Sequence, residues 1–417
     1  MALSPSSLAN ARIDGRRFWS TIERSAAIGT WRHGLNRLTL SDADKAIRDQ
    51  FVEWCGGAGL AVRIDEVGNI FGRRAGRDDH LAPVLLGSHL DTQANGGRFD
   101  GIVGVLGALE LVRTLNDLGH VTRRPIEIVN WTNEEGARFS PPMVASGCFA
   151  GVYERDWVYG RTADDGATLG GELVRIGYRG EVPVGGVVPD SYLELHIEQG
   201  PILDAERLQV GVVTHGYTSH GMLVEFRGET AHTGPWPMQS RRSALVAGAR
   251  LVAAVDDIGW DFAHVGGKAS APRLQAWPNR AGILSEWAQV VCDVRQDDPV
   301  IAGIMAERVQ RAVGEAAARA GCTCEILDRW NWGGRIFDEA MVELVRDTAA
   351  SLGYSHRDVA SQAGHDAYFL ARICPTAMIF TPCRGGITHN DGEDATLDEL
   401  IPGVNVLLHA AVARADR

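Results

Sequence analysis

The chain of 417 residues lacks long apolar runs and contains almost no lysine. No stretch of about 18 apolar residues is present, so the sequence predicts no membrane span and no membrane partner. The amino-terminal segment MALSPSSLANARIDGRRFW has no apolar core, which predicts that the protein is not exported by a signal peptide. Lys45 and Lys268 are the only lysines, the formal net charge is −12, and no basic cluster is interleaved with aromatics. Nucleic acid is therefore not expected as a partner.

Cysteine is scarce and follows no spacing that would predict disulfides. The seven cysteines are an odd number in a long chain, which is typical of reduced thiols, so a cytoplasmic location is predicted. The sequence has no internal repeat and no low-complexity linker. Because 417 residues exceed one ordinary hydrophobic core, two domains are expected.

From about residue 40 to 210 the sequence alternates between helix-like and strand-like segments. Helical spacing marks 41–60 and 101–119, and the short apolar runs 83–90 and 125–131 are typical of buried strands. The alternation resumes at about residue 338. This order predicts an α/β fold with a mixed, mostly parallel sheet flanked by helices, in which ligands bind beyond the carboxyl ends of strands.

The middle of the chain has a different pattern. Its segments follow the order strand–helix–strand–strand–helix–strand, which is a ferredoxin-like split βαβ arrangement. The sequence therefore predicts a discontinuous domain, 1–213 and 331–417, with an α+β domain inserted at 214–330.

Four predicted strand ends carry side chains that could bind metal ions. They lie in GSHLDTQANGGRFDG, NWTNEEG, LELHIEQG and GGITHND, and the candidate ligands are His89, Asp100, Glu135, His196 and His389. Imidazole and carboxylate are preferred by borderline divalent ions, and Asp100 could bridge two of them through its two oxygens. A lone histidine after a strand is more often structural, so the hypothesis depends on the whole set. The set predicts two divalent ions per subunit, zinc or manganese with cobalt or nickel also compatible, and hydrolysis by activated water.

Two acidic residues beside these ligands are candidates for supporting roles. Adjacent positions on one loop cannot easily bind the same ion, so Glu134 is the candidate general base for a water proton. Asp91 lies two residues after His89, where its carboxylate could accept the other imidazole N–H and fix the tautomer.

The middle segment contributes two candidates for substrate contact. His232, in ETAHTGPWPM, could stabilise an oxyanion. Arg295, at the end of a predicted strand, could hold a carboxylate through two hydrogen bonds. Each residue could equally be an exposed charge at a strand end.

Six motifs occur in order along nearly the whole chain. They are GSHLDT, GGRFDG, NWTNEEGARF, LELHIEQGPIL, AHTG-x-x-PM and GHDA…GGITHN. In these motifs the chain resembles the amidases of the hydantoinase/carbamoylase family, the M20-type branch of dinuclear metallohydrolases. This branch includes N-carbamoyl-L-amino acid hydrolases, β-ureidopropionases and allantoate amidohydrolases. NEEG followed by ARF, and HIEQG with its glutamine, favour it over related peptidases and aminoacylases.

The resemblance implies a homodimer in which 214–330 is a dimerisation and lid domain. It also implies the five metal ligands given above, with Glu134 as base, and substrate contacts by Gln199, His232 and Arg295. Family members commonly have an asparagine 13 residues before the arginine, but Gly282 occupies that position here. Asn279, three residues earlier, becomes the further substrate-binding candidate.

Two more departures from the family pattern fall on the substrate side. Trp236 replaces a frequent threonine, and Cys383 replaces a common serine. The expected function is a metal-dependent amidohydrolase that cleaves the carbamoyl C–N bond of an N-carbamoyl-L-amino acid or similar ureido acid, releasing ammonia and carbon dioxide. Alternatives are an N-acyl-amino acid amidohydrolase or dipeptidase of the same superfamily, an allantoate amidohydrolase, and a non-catalytic homologue, against which the intact ligand set argues.

Overall fold

The computed structural model describes residues 10–417, which divide into two compact units. The first comprises residues 10–214 and Ile336–Arg417, and the second His215–Arg335. The catalytic role predicted for 1–213 and 331–417 stays a prediction. The dimerisation role predicted for 214–330 likewise stays a prediction. Within the described residues, no helix combines the length and apolar character needed to cross a bilayer.

Fourteen strands and twelve α-helices are formed in the described part of the chain. The strands are β1 (Thr30–Trp31), β2 (Gly34–Leu35), β3 (Ala61–Ile64), β4 (Ile70–Arg74), β5 (Val84–His89), β6 (Ile126–Trp131), β7 (Ser191–Ile197), β8 (Val210–Gly216), β9 (Thr218–Arg227), β10 (Lys268–Trp277), β11 (Trp287–Gln296), β12 (Thr323–Trp332), β13 (His356–Ser361) and β14 (Thr376–Thr381). The helices are α1 (Gly15–Ala26), α2 (Asp42–Gly57), α3 (Ile102–Asp117), α4 (Val144–Phe149), α5 (Arg155–Tyr159), α6 (Leu169–Arg175), α7 (Ile202–Glu206), α8 (Ala244–Phe262), α9 (Pro299–Ala320), α10 (Glu339–Ser351), α11 (Ala367–Leu370) and α12 (Leu397–Ala415).

An eight-stranded mixed sheet flanked by helices forms the first unit, in the order β13-β8-β14-β7-β5-β6-β4-β3. The predicted α/β class is confirmed. The four central strands β14, β7, β5 and β6 pair in parallel, whereas β8 and the β3–β4 hairpin pair antiparallel. The short loop 65–69 between β3 and β4 allows only an antiparallel pair.

Helix α3 lies directly against the central strands. Thirteen of its sixteen residues are buried, so it is apolar nearly all round. Gly104 allows this close approach, because a Cβ there would overlap the carbonyl oxygen of Leu195 in β7. The helix begins at Ile102, immediately after the GGRFDG segment, so its packing fixes the position of that loop.

The second unit has an antiparallel sheet in the order β10-β11-β9-β12. This is the strand order of the predicted split βαβ arrangement. Helices α8 and α9 share one hydrophobic core with the sheet, including Leu251, Val290 and Val309. The alternating burial of β11 follows from its position in the sheet, with one face packed against the helices.

Candidate metal centre

The five predicted ligands come from the ends of parallel strands and the loops that follow them. His89 ends β5, His196 is the penultimate residue of β7, Glu135 follows β6, and His389 follows β14. Since these strands are parallel neighbours, their carboxyl ends meet at one edge of the sheet. Asp100 reaches the same edge from the loop before α3.

The carboxylate of Asp100 lies at the centre of two ligand groups. Its Oδ1 is 3.2 Å from His196 Nε2 and 3.6 Å from His89 Nε2. Its Oδ2 is 3.3 Å from His389 Nε2, which is itself 3.2 Å from Glu135 Oε2. In each group the potential ligand atoms all lie within 4.8 Å of one another. One oxygen of Asp100 therefore serves each group, which is the arrangement expected of a bridging carboxylate.

Hydrogen bonds to main-chain carbonyls orient the two buried imidazoles. His89 Nδ1 is 2.9 Å from the carbonyl oxygen of Asp91, and His196 Nδ1 is 2.9 Å from that of Ile197. Donation from Nδ1 leaves the lone pair on Nε2, where the Gly101 N–H donates to His196. Both imidazoles thus present Nε2 as the basic nitrogen towards Asp100.

The carboxylate of Asp91 lies close to His89 but does not make the shortest contact with its Nδ1. It lies 3.8 Å from His89 Nδ1, so the carbonyl of the same residue, and not the side chain, fixes the imidazole. The carboxylate Oδ2 instead accepts from Thr39 Oγ1 and from the Glu135 N–H. Asp91 therefore holds the loop that carries Glu134 and Glu135.

Glu134 is buried beside the first ligand group, with Oε2 3.5 Å from His89 Nε2. Burial raises the pKa of Glu134 well above its usual value, and the charges of Asp366 and Glu135 add to the increase against the opposing effect of His89. A carboxyl group in this position can hold a proton close to the Nε2 side of His89.

The charge balance of the cluster favours added positive charge. Burial acts to raise the pKa of Asp100, but the side-chain contacts with His196, His389 and His89 hold it well below its usual value. The nearby Glu135 raises the pKa of His389 to about 9. The carboxylates of the cluster thus favour positive charge close to Asp100.

Gln199 reaches this cluster but contacts a predicted ligand. Its Nε2 donates to Asp100 Oδ2 at 2.8 Å, and its backbone is in the left-handed region with φ 57°. The predicted substrate contact of Gln199 stays a prediction.

Sequence reasoning missed three residues that hold the ligands. Glu393 is buried, and its Oε1 accepts from the backbone N–H groups of Phe99 and Asp100. Thr388 Oγ1 lies 2.7 Å from Asp100 Oδ2 and 2.9 Å from Glu393 Oε2. Gln93 Nε2 donates to Glu135 Oε2 at 2.9 Å. None of these positions shows a period or a spacing that a sequence pattern could detect.

A second buried polar cluster lies behind the histidines. Glu194 accepts hydrogen bonds from Ser88 Oγ, Tyr192 Oη and the N–H of Ala367. The ring of His365 packs edge-on against His196, with centroids 4.5 Å apart. His365 belongs to the GHDA motif, for which the sequence alone predicts no catalytic or binding role.

The substrate candidates His232, Asn279 and Arg295 all belong to the second unit. His232 is exposed, and its Nδ1 accepts from the Gly234 N–H at 3.0 Å. Asn279 is exposed with φ 39°, and Arg295 Nε is 2.7 Å from Asp293 Oδ2. Contacts of these residues with substrate stay predictions.

Comparison with known proteins identifies the family. Residues 85–413 match the model of peptidase family M20/M25/M40. The chain belongs to this family. The predicted M20 membership is confirmed, and the mixed sheet of the first unit is consistent with the two-domain M20 fold.

Several M20 relatives resemble the chain over almost their full length. An N-carbamoyl-L-amino-acid amidohydrolase of Rhizobium meliloti is 41% identical over 408 residues, covering 98% of each protein. A ureidoglycolate hydrolase of Oryza sativa subsp. japonica is 32% identical, covering 89% of this chain and 79% of the relative. The crystal structure of an amidase of the hydantoinase/carbamoylase family from Burkholderia vietnamiensis superimposes with a TM-score of 0.95 at 46% identity, covering 98% and 99% of the chains.

The side chains of this M20 member fit a divalent-metal centre. The two groups supply only imidazole nitrogens and carboxylate oxygens, the ligands that zinc and manganese accept. The two oxygens of Asp100 each face one of the two groups.

Proposed function

We propose that this M20 hydrolase cleaves the carbamoyl C–N bond of an N-carbamoyl-L-amino acid. The observation that carries the proposal is the pair of ligand groups joined through the two oxygens of Asp100, with Glu134 buried beside them. The substrate class is supported by the 41% identity to the N-carbamoyl-L-amino-acid amidohydrolase, which extends over 98% of both chains.

His89, His196 and Asp100 would hold one divalent ion, and Asp100, Glu135 and His389 the other. Such ions lower the pKa of a bound water from about 15.7 to about 7 and polarise a carbonyl oxygen. Zinc or manganese is proposed, and the nitrogen and oxygen donors also suit cobalt or nickel.

Glu134 acts as the general base. Its carboxylate takes a proton from the attacking water and delivers it to the leaving nitrogen of the substrate, a role that contributes roughly 10²–10⁴-fold to the rate. Hydrolysis of the ureido group releases the amino acid and carbamic acid, which breaks down to ammonia and carbon dioxide. Asp91 keeps Glu134 and Glu135 in place through the Glu135 N–H.

The substrate carboxylate is assigned to Arg295, with Asn279 and Gln199 as further contacts and His232 as the oxyanion donor. The family resemblance supports these roles. Arg295 must then release or share its ion pair with Asp293. Replacement of Arg295 by Gln is expected to raise KM for carboxylate-bearing substrates much more than it lowers kcat.

Metal depletion and substitution of Glu134 test the proposal together. The chelated protein should lose ammonia release from N-carbamoyl amino acids and regain it when zinc, manganese, cobalt or nickel is added singly. Glu134→Gln should bind metal normally and lose about 10²–10⁴-fold in kcat. Brisk turnover of N-acyl amino acids or dipeptides, with none of any ureido acid, would refute the preferred function in favour of the alternative.

A second ureido acid is a specific alternative substrate. The similarity to ureidoglycolate hydrolase, at 32% identity over 381 residues, favours including ureidoglycolate and allantoate in the substrate panel. The ratio of kcat/KM values between N-carbamoyl amino acids and these acids decides between the two, since all of them release ammonia.

We also propose that the protein is a cytoplasmic homodimer that associates through the second unit. Support comes from the exposed apolar side chains of that unit, among them Trp260 at 75% exposed, and from its edge strand β10. Light scattering of the purified protein measures the mass, and a monomer at micromolar concentration would contradict this assembly.

A further inference from the structure

A polar pocket of about 440 Å³ lies in the first unit, built from residues that serve neither the metal ligands nor Glu134. One wall is a single face of α1, with Arg17, Ser20, Thr21 and Arg24 spaced by three or four residues. The opposite wall is the last turn of α3, and the end of α2 closes the pocket. The pocket is thus built on three helices of regular geometry.

Three guanidinium groups surround this pocket, from Arg17, Arg24 and Arg113. Burial lowers the pKa of Arg113, and the charges of Arg17 and Arg24 lower it further against the opposing effect of Glu110. The three arginines are therefore close enough for their charges to repel one another. Such a cluster is stabilised by an anion among them.

Two carboxylates beside the pocket, those of Glu110 and Asp117, both pair with the same arginine, Arg17. Glu110 accepts from Arg17 Nε and Nη2, and Asp117 accepts from Arg17 Nη1. Among the pocket-lining side chains and Glu110 there are two carboxylates and three guanidinium groups. Arg113 and Arg24 form no ion pair with a described residue: Arg113 donates to Thr21 Oγ1, and Arg24 lies over the ring of Trp54.

Three further acceptors of the pocket wall already take part in hydrogen bonds. The Ala58 carbonyl at the end of α2 accepts from Asn116 Nδ2, and Asn116 Oδ1 accepts from Arg74 Nε. Thr21 Oγ1 donates to the carbonyl of Arg17. Arg24, Arg113 and Ser20 therefore remain as hydrogen-bond donors at the pocket.

We propose that this arginine pocket binds the phosphate group of a small metabolite. A tetrahedral phosphate monoester presents three charged or partly charged terminal oxygens to two guanidinium groups and a hydroxyl at once, one more than the two oxygens of a carboxylate. The pocket is larger than phosphate alone, so a phosphate monoester with a small organic group fits its volume. Asp117 at the rim disfavours ligands with negative charge at both ends.

The test is calorimetric titration of inorganic phosphate into the purified, metal-loaded protein at constant ionic strength, with chloride as the balancing anion. The variants are Arg113→Gln and Arg24→Gln. Arg16→Gln is the matched control, because Arg16 lies on the same helix, is exposed and does not line the pocket. Any phosphate that binds at the metal centre contributes equally to the heat measured for all four proteins. A difference in phosphate affinity between the proteins therefore measures binding at the arginine pocket.

We expect wild type and Arg16→Gln to bind phosphate alike, and the two pocket variants to lose about tenfold or more in affinity. Arg24 is exposed, so its replacement tests the proposal even where Arg113→Gln does not fold. Equal phosphate affinity in all four proteins, or no phosphate binding to any of them, overturns the proposal that this pocket binds phosphate. Acetate binding as tight as phosphate overturns the assignment of a phosphate group.

Discussion

Glu393 is expected to determine whether the second ligand group keeps its metal. Its carboxylate accepts the N–H groups of Phe99 and Asp100 and the hydroxyl of Thr388, and it is 4% exposed. Replacing Glu393 by Ala leaves the two buried N–H donors of Phe99 and Asp100 without this acceptor, whereas the Thr388 hydroxyl keeps Asp100 Oδ2 as an acceptor. At about 1–3 kcal/mol for each buried unsatisfied group, the variant should lose about 2–6 kcal/mol of unfolding free energy.

The conservative variant Glu393→Gln should be milder. Its amide oxygen still accepts from the two N–H groups, but the amide nitrogen cannot accept from Thr388. We expect a loss of about 1–2 kcal/mol, because a neutral acceptor replaces a charged one. Asp394→Asn is the matched control, since the neighbouring Asp394 forms ion pairs with the exposed Arg98 and Arg384. Such surface pairs contribute about 0–1 kcal/mol.

Two measurements check the predicted order of destabilisation among the three variants. Thermal unfolding ranks the variants, and metal titration of the chelated proteins gives the affinity for the first and second equivalents. A merely structural role would lower the melting temperature without separating the two equivalents, whereas a positioning role weakens the equivalent that depends on His389. Wild-type melting temperature and wild-type affinity for both equivalents in Glu393→Ala would refute the reasoning.

Two further substitutions test other parts of the first unit. Gly101→Ala places a Cβ against the His89 ring, at a position whose backbone φ of 67° disfavours alanine. The metal content, measured by mass spectrometry, should therefore fall by at least one ion per chain. Full metal occupancy in this variant would contradict the prediction. Asp44→Asn removes the charge that faces the fully buried Arg48, so denaturant unfolding should show that the unfolding free energy falls by about 3–5 kcal/mol. Lys45→Gln, at the exposed ion pair with Asp49, should lower it by only about 0–1 kcal/mol. Equal losses in the two variants would contradict the importance of burial.

The ligand residues could be found from sequence because two simple rules combine. Apolar runs mark buried strands, and the carboxyl ends of parallel strands meet at one edge. His89, His196 and Glu135 follow such runs directly, so their convergence needed no knowledge of packing. Asp100 and His389 follow from the same rules, because each lies in the loop that leaves this edge.

The residues that hold the ligands could not be found in this way. Glu393 belongs to the polar segment NDGED, which has no periodicity and is typical of a solvated loop. Its burial depends on Gly97, where any Cβ would overlap the Glu393 carboxylate, and that contact joins positions 296 residues apart. Asp91 is a related case, because only the turn after β5 decides whether its carbonyl or its carboxylate lies nearer the imidazole of His89.

The two ligand groups differ in their access to solvent. The side chains of His89 and His196 are each 1% exposed, but that of His389 is 45% exposed. A chelator therefore reaches the Glu135–His389 half first, and demetallation should proceed through a species that retains a single ion beside Glu134. Slow dialysis should trap that half-loaded enzyme, and its residual turnover would reveal how much of the chemistry one cation sustains.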